Sequence, residues 1–307
     1  MSQMREFFTK CGKKIKGFFA KMTVEVNEKE NKEGWSLGDF VATVLRTMKL
    51  LWDVLLVFAL GGLLFGAGIA IGYAASLFNA TETPDPTQLV QQVRNISSVS
   101  KISYSDGSVI SDIDSDLIRI PVQKDAISDN VKKAVIATED ENFNSHNGVV
   151  PKAVIRATLG SVAGVGSSSG GSTLTQQLIK QQVVGDAPTF SRKAAEIIDA
   201  LALERVMDKD EILTTYLNVS PFGRNNRGQN IAGVEAAAQG IFGVSAKDLT
   251  IPQAAFIAGL PQSPIVYSPY ASDGGLKTPE NQALGLDRAK DVLYNMYRTG
   301  AISKEEY

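Results

Sequence analysis

One cysteine, one histidine and two tryptophans are all that 307 residues carry of these types, and neither sign of charge dominates. The lone Cys11 excludes a disulfide framework within one chain, so stability must come from packing. That scarcity suits an exported domain at a cell surface that does not rely on disulfides. With 31 basic against 33 acidic residues, the net charge is -2, so the broadly basic surface that nucleic acid requires is absent. No nucleic-acid partner is expected, and any polyanion site must be local.

What is present is a 44% hydrophobic, 21% charged chain, enough for one sizeable core with accessory segments or at most two small domains. From Val54 to Leu77 run 24 residues without a charge. As a helix they would span about 36 Å, against a bilayer core of about 30 Å. A cleaved signal peptide would place its apolar stretch nearer Met1. The first 21 residues carry Arg5, Lys10, Lys13, Lys14, Lys16 and Lys21 against only Glu6, and Arg46 and Lys49 sit just before the span. The positive-inside rule then puts the N-terminus in the cytoplasm and everything after about Asn79 outside.

Beyond the span, Ala80 to Gln88 reads as a polar, proline-containing linker, and Lys101 to Ile110 as a β-hairpin turning at Asp106-Gly107. After Ala126 the apolar periodicity is helical: Val131, Val135 and Ile136, then Ile197, Ile198, Leu201 and Val206, then Ile212, Leu213, Tyr216 and Leu217. Alanine clusters at 236–238 and 254–258 continue it. The fold class is mainly α, with the β element confined to the linker. An S-x-x-K match at Ser98 and Lys101 has no later S-x-N or K-T-G partner, because Pro279 follows Lys277-Thr278, so it is read as chance.

Three constellations can carry chemistry. In the first, Glu139, Asp140 and Glu141 precede Phe143, His146 and Gly148 where an apolar helix gives way to a loop. Such a cluster is either a solvated helix end or, if partly buried, a carboxylate able to exchange protons with a sugar hydroxyl. His146 alone more simply shapes the loop. In the second, Gly170-Gly171 lead into Ser172-Thr173-Leu174-Thr175-Gln176-Gln177, where Thr173 and Gln176 match a capping box. A glycine-rich approach to a helix start reads as an anion site backed by Lys180, or as a flexible loop before a well-capped helix. No lysine follows the glycines as a Walker loop requires, so nucleotide binding is not expected. In the third, Arg192, Lys193 and Glu196 share one helical turn. They form an ordinary surface ion pair, or two cations for a pyrophosphate and a second carboxylate for a reaction centre.

In this order, the segments Glu139 to Gly148, Gly170 to Gln177, Arg192 to Glu196, Tyr216 to Gly243 and Ala258 to Pro264 resemble the five motifs of the glycosyltransferase domain of class A penicillin-binding proteins. Asn218 to Gly228 resembles Gram-positive members, nearest the streptococcal 2a type. The resemblance implies a lysozyme-like helical domain with a membrane-associated jaw subdomain between Asn142 and Ser169, offering Val149, Val150, Val154, Ile155, Leu159 and Val162 to lipid.

It also implies polymerisation of lipid II into glycan strands with inversion and release of undecaprenyl pyrophosphate. Glu139 then matches the general base, and Glu196 the second catalytic carboxylate. Asp140, Phe143, His146, Ser172, Thr173, Gln176 and Gln177 match substrate-positioning residues, and Lys180, Arg192 and Lys193 those that neutralise the diphosphate. No cofactor is called for, no metal ligands are read, and a divalent cation is left open. Expected partners are lipid II, the growing strand and membrane lipid, with division or elongation proteins as candidates for the tail.

The implied organisation is a cytoplasmic basic tail over 1–53, a transmembrane helix over 54–77, a hairpin-bearing linker over 78–125, the glycosyltransferase domain over 126–290, and over 291–307 the start of a connection to a transpeptidase domain that the chain lacks. A lysozyme-like muramidase would explain Glu139 but neither the cations nor the anchor. A division scaffold would explain the tail but not two glutamates.

Overall fold

The uncharged run after Asp53 lies inside a longer helix, α1 (Leu37–Ala80), in a computed structural model that describes residues 37–81, 84–96, 101–105, 109–112, 117–154, 156 and 171–307. The basic residues up to Lys21 and the Asp106-Gly107 turn lie outside the described residues. The helix begins well before the charge-free run because Leu37–Asp53 already favours helix, with the Thr43 and Thr47 hydroxyls bonding back to carbonyls one turn earlier at 2.8 Å. No side chain of α1 is buried, and its length and composition allow it to cross a membrane.

The chain divides into two compact units, Met1–Ala74 and Ala75–Tyr307. In the second, the expected linker gives way to a helix, α2 (Pro86–Arg94). Asp85 caps it by accepting from the Thr87 and Gln88 amides, Pro86 occupies the first turn where no amide is needed, and Leu89 and Val93 enter the core. The hairpin is present as β1 (Lys101–Ser103) paired antiparallel with β2 (Val109–Asp112).

A second sheet was not expected. β3 (Leu117–Arg119) runs parallel to β5 (Asn230–Ala232), and β4 (Pro221–Arg224) pairs antiparallel with β5. These strands are only three or four residues long, too short to show alternation. The Asn225 carboxamide closes the β4–β5 turn by accepting from the Arg227 and Gln229 amides.

The helical body comprises α3 (Asp129–Glu139), α4 (Leu174–Ile179) running into a π-helical turn (Lys180–Val184), α5 (Phe190–Leu203), α6 (Lys209–Val219), α7 (Val234–Ala237), α8 (Ile251–Gly259), α9 (Pro264–Tyr267) and α10 (Pro279–Arg298). Ser128, Thr173, Thr189 and Asp208 cap α3 to α6. Both alanine clusters are buried, and their small side chains let α7 and α8 approach their neighbours closely.

On α5 the buried face runs through Ala194, Glu196, Ile197, Asp199, Ala200 and Leu203, so Leu201 and, beyond the helix, Val206 point outward. The apolar letters alone misplace this face because two of its members are carboxylates. Of the residues expected in the jaw, 155 and 157–169 lie outside the described residues. Val149 packs against the core and so serves the body of the domain.

Burial raises the Asp199 carboxyl above its ordinary range. A carboxyl with a raised folded value is destabilising when ionised. That penalty begins above the unfolded value of about 4 and is complete above the folded one. Asp199→Asn should therefore raise Tm at pH 7, and the gain should vanish towards pH 4. A pH series of melting curves checks this, and a gain independent of pH would refute it.

Candidate active site

Glu139 is the last residue of α3, and Asp140 leaves the helix with φ -159°. The break turns consecutive carboxylates in different directions. The Glu139 side chain is largely buried. Its Oε2 accepts from Gln177 Nε2 at 2.9 Å, while Oε1 accepts no hydrogen bond among the described residues and has Arg288 Nη2 at 3.7 Å. The Tyr216 hydroxyl donates to Gln177 Oε1 at 3.1 Å, which fixes the amide so that its nitrogen faces Glu139. Burial, and then the nearby Glu139 charge, push the Tyr216 hydroxyl far up, so it stays a donor at any working pH.

Asp140 turns inward. Its oxygens lie 3.0 and 2.8 Å from His146 Nε2, and Oδ2 also accepts the Leu174 amide at 3.0 Å. His146 Nδ1 accepts from the Gly148 amide at 3.1 Å, so the ring proton sits on Nε2 and points at Asp140. Phe143 is fully buried, edge-on to His146, with Lys209 Nζ 4.4 Å above its ring. Gly148 has φ +86°, and a Cβ there would meet the Ala200 carbonyl oxygen at 2.6 Å, so only glycine lets this loop press onto α5.

At the start of α4, several of the amides that an anion site would use are already bonded. Leu174 N–H is taken by Asp140, Gln176 N–H by Thr173 Oγ1, and Thr173 N–H by Gln176 Oε1. The capping box and a buried carboxylate thus take three amides at the helix start, which no longer face the loop. Thr173 and Gln176 are buried, with the Thr173 hydroxyl donating to the Gly148 carbonyl at 2.6 Å. Asp140, Phe143, His146, Thr173 and Gln176 thus form one packed support under Glu139 and Gln177.

Glu196 is only 2% exposed, and the third constellation is therefore no surface pair. One oxygen binds Arg192 Nη1 and the other Lys193 Nζ. Lys193 Nζ also donates to Ser172 Oγ at 2.8 Å, tying the cationic cluster to the residue before the capping box. Lys180, at the end of α4, is exposed and has no ion pair among the described residues. The segment from Ser172 to Lys180 thereby joins the two glutamates, holding Glu139 through Gln177 and the Glu196 cluster through Ser172. Among the described residues no group of His, Cys, Asp and Glu is arranged to hold a metal ion.

The two glutamates differ in availability. Both oxygens of Glu196 are committed to cations, whereas Glu139 keeps one oxygen free of hydrogen bonds. Sequence reasoning missed Arg288 and the fixed partnership of Tyr216 with Gln177, because these contacts join helices distant in the chain. Residues 106–297 match the family model for transglycosylases.

The chain belongs to the transglycosylase family.

The chain is 35% identical over 257 residues to penicillin-binding protein 1A of Clostridium perfringens, covering 81% of this chain and 36% of that protein. It is 38% identical over 245 residues to penicillin-binding protein 1A of Clostridium botulinum, covering 78% of this chain and 28% of that protein. The chain thus spans about a third of the length of these relatives. A crystal structure of penicillin-binding protein 1A from Haemophilus influenzae matches at a TM-score of 0.36 and 23% identity, over 69% of this chain and 20% of that one.

Proposed function

We propose that this transglycosylase polymerises lipid II into glycan strands. Glu139 takes the proton of the acceptor 4-hydroxyl as that oxygen attacks the donor anomeric carbon. The bond from that carbon to the pyrophosphate breaks, its electrons leave with undecaprenyl pyrophosphate, and the configuration inverts. The observation that carries this reading is the asymmetry of the two glutamates: one keeps an oxygen free to take a proton, the other is locked to two cations. Arg192, Lys193 and the unpaired Lys180 supply positive charge where the diphosphate departs.

The chain is anchored by α1, with its N-terminus in the cytoplasm and the catalytic unit on the outer face, where lipid-linked substrate and membrane lipid meet it. Division or elongation proteins are proposed to reach it through the N-terminal tail. Incubating the purified chain with labelled lipid II should yield polymer. Absence of polymer with a folded protein would refute the assignment.

Lys180 separates diphosphate binding from a structural role. Its side chain is exposed and unpaired, so Lys180→Ala should leave Tm within about 1 °C, because exposed sites away from specific contacts change stability little. Turnover should fall by about tenfold or more, through loss of a charge-assisted contact that strengthens as the leaving group departs. Lys247→Ala, at an exposed position outside the site, serves as the control. Equal turnover by the two variants would remove Lys180 from the diphosphate site.

A further inference from the structure

The carboxylate of Glu139 faces one cation, and that cation comes from the far end of the chain. Arg288 lies on α10, and its Nη2 stands 3.7 Å from Glu139 Oε1 with both side chains about 15% exposed. The gap is too long for a hydrogen bond, so the arginine contributes charge without occupying a lone pair. Arg288 Nε is buried without a partner, a cost that packing alone does not explain.

Space for the side chain is made by Gly259, the last residue of α8. A Cβ on Gly259 would lie 2.9 Å from Arg288 Cγ and 3.5 Å from Val292 Cγ2. The glycine of the Ala258-Gly259-Leu260-Pro261-Gln262 motif therefore keeps open the path along which Arg288 reaches Glu139. The same helix also sends Arg298 to Glu141, with Nη2 2.6 Å from Oε2, so α10 grips both sides of the break after α3.

We infer that Arg288 is a positioning residue for Glu139, setting a positive charge opposite the carboxylate and orienting it without a hydrogen bond, so that its second oxygen stays free for the acceptor hydroxyl. This rests on the reading of Glu139 as the general base. No other charge facing Glu139 does the same work. α8, packed on α3, has no ionisable side chain. Gln177 on α4 is neutral, and Tyr216 on α6 stays protonated. Asp140 is committed to His146 and the Leu174 amide. On α10, Asp287 pairs with Lys290 at the surface, Asp291 is exposed, and Arg298 is held by Glu141. On α3 itself, Asp129 and Lys132 pair at the opposite end, and Lys133 is exposed.

The test is the pH dependence of kcat/KM for lipid II polymerisation by the whole chain, from about pH 5 to pH 9. Four proteins are compared: unmodified, Arg288→Met, Arg288→Lys and Gly259→Ala. Arg288→Met removes the positive charge facing the carboxylate and should move the acid limb upward, with the plateau at high pH retained within a few-fold. Arg288→Lys should bring the limb most of the way back. Gly259→Ala, which crowds Arg288 without removing it, should shift the limb part of the way.

A loss by the same factor at every pH, or an unmoved limb, overturns the inference. If Arg288→Met does not fold, an acid limb in Gly259→Ala unchanged from that of the unmodified protein overturns it equally. Failure of the base reading shows separately, as retained turnover in Glu139→Gln, and would take this inference with it.

Discussion

Glu139→Gln should lower lipid II polymerisation by about 10²- to 10⁴-fold, the usual cost of losing a general base. The substitution conserves shape. Glutamine can still accept from Gln177 Nε2 through its own amide oxygen, so the contact now measured at 2.9 Å survives, and Tyr216 can still hold Gln177 in place. What disappears is the ability to take a proton at neutral pH, together with the negative charge that faces Arg288. Circular dichroism should therefore show a folded protein, and labelled lipid II should still bind. Turnover within a few-fold of the unmodified chain would remove Glu139 from the base role, and an unfolded protein would make the carboxylate a structural element.

Glu196→Gln should give the second largest effect, and of a different kind. Glu196 is buried and its two oxygens hold Arg192 and Lys193, so neutralising it leaves two cations competing for one amide oxygen. Hydrogen bonds to charged groups are worth about 1.5–3 kcal/mol. Arg192 and Lys193 are partly exposed and can turn towards water, so a net loss of roughly 2 kcal/mol is expected, or about 4–8 °C in Tm for a domain of this size.

Turnover should fall about 10²-fold in parallel, because the cations proposed to stabilise the departing diphosphate lose their common anchor. Lys193 would also release Ser172 Oγ and with it the entry to α4. The combination is diagnostic: Glu196→Gln loses stability and turnover together, whereas Lys180→Ala loses turnover alone. A Glu196→Gln protein that melts lower but polymerises normally would make the cluster a packing device only.

The supporting shell shows how a motif can be read correctly in the sequence and yet be given the wrong work. The capping box of Thr173 and Gln176 was legible as such, and α4 starts at Leu174 as that pattern requires. What the four residues do not show is that Asp140, in a different motif, takes one of the amides at this start. Capping is local and can be read from four residues, whereas the occupant of a helix terminus is set by whatever the fold brings there. The same holds for Glu196. Its spacing from Arg192 and Lys193 predicts a shared helical turn, but the turn faces inward, which converts an apparent surface pair into a buried cluster.

By itself the sequence determined the long apolar helix, the mainly helical class, the hairpin and the shared helical turn of Glu196 with Arg192 and Lys193. Each of these depends on composition or on spacings within a turn or two, where periodicity and charge act directly. Only the tertiary structure decided which glutamate keeps a free oxygen, that α2 replaces a linker, and that a second sheet joins residues 117–119 to 221–232. It also decided that Arg288 meets Glu139 across a space that Gly259 leaves open. Those facts depend on contacts between elements remote in the chain, and a carboxylate's environment is made of what packs around it, not of what precedes and follows it.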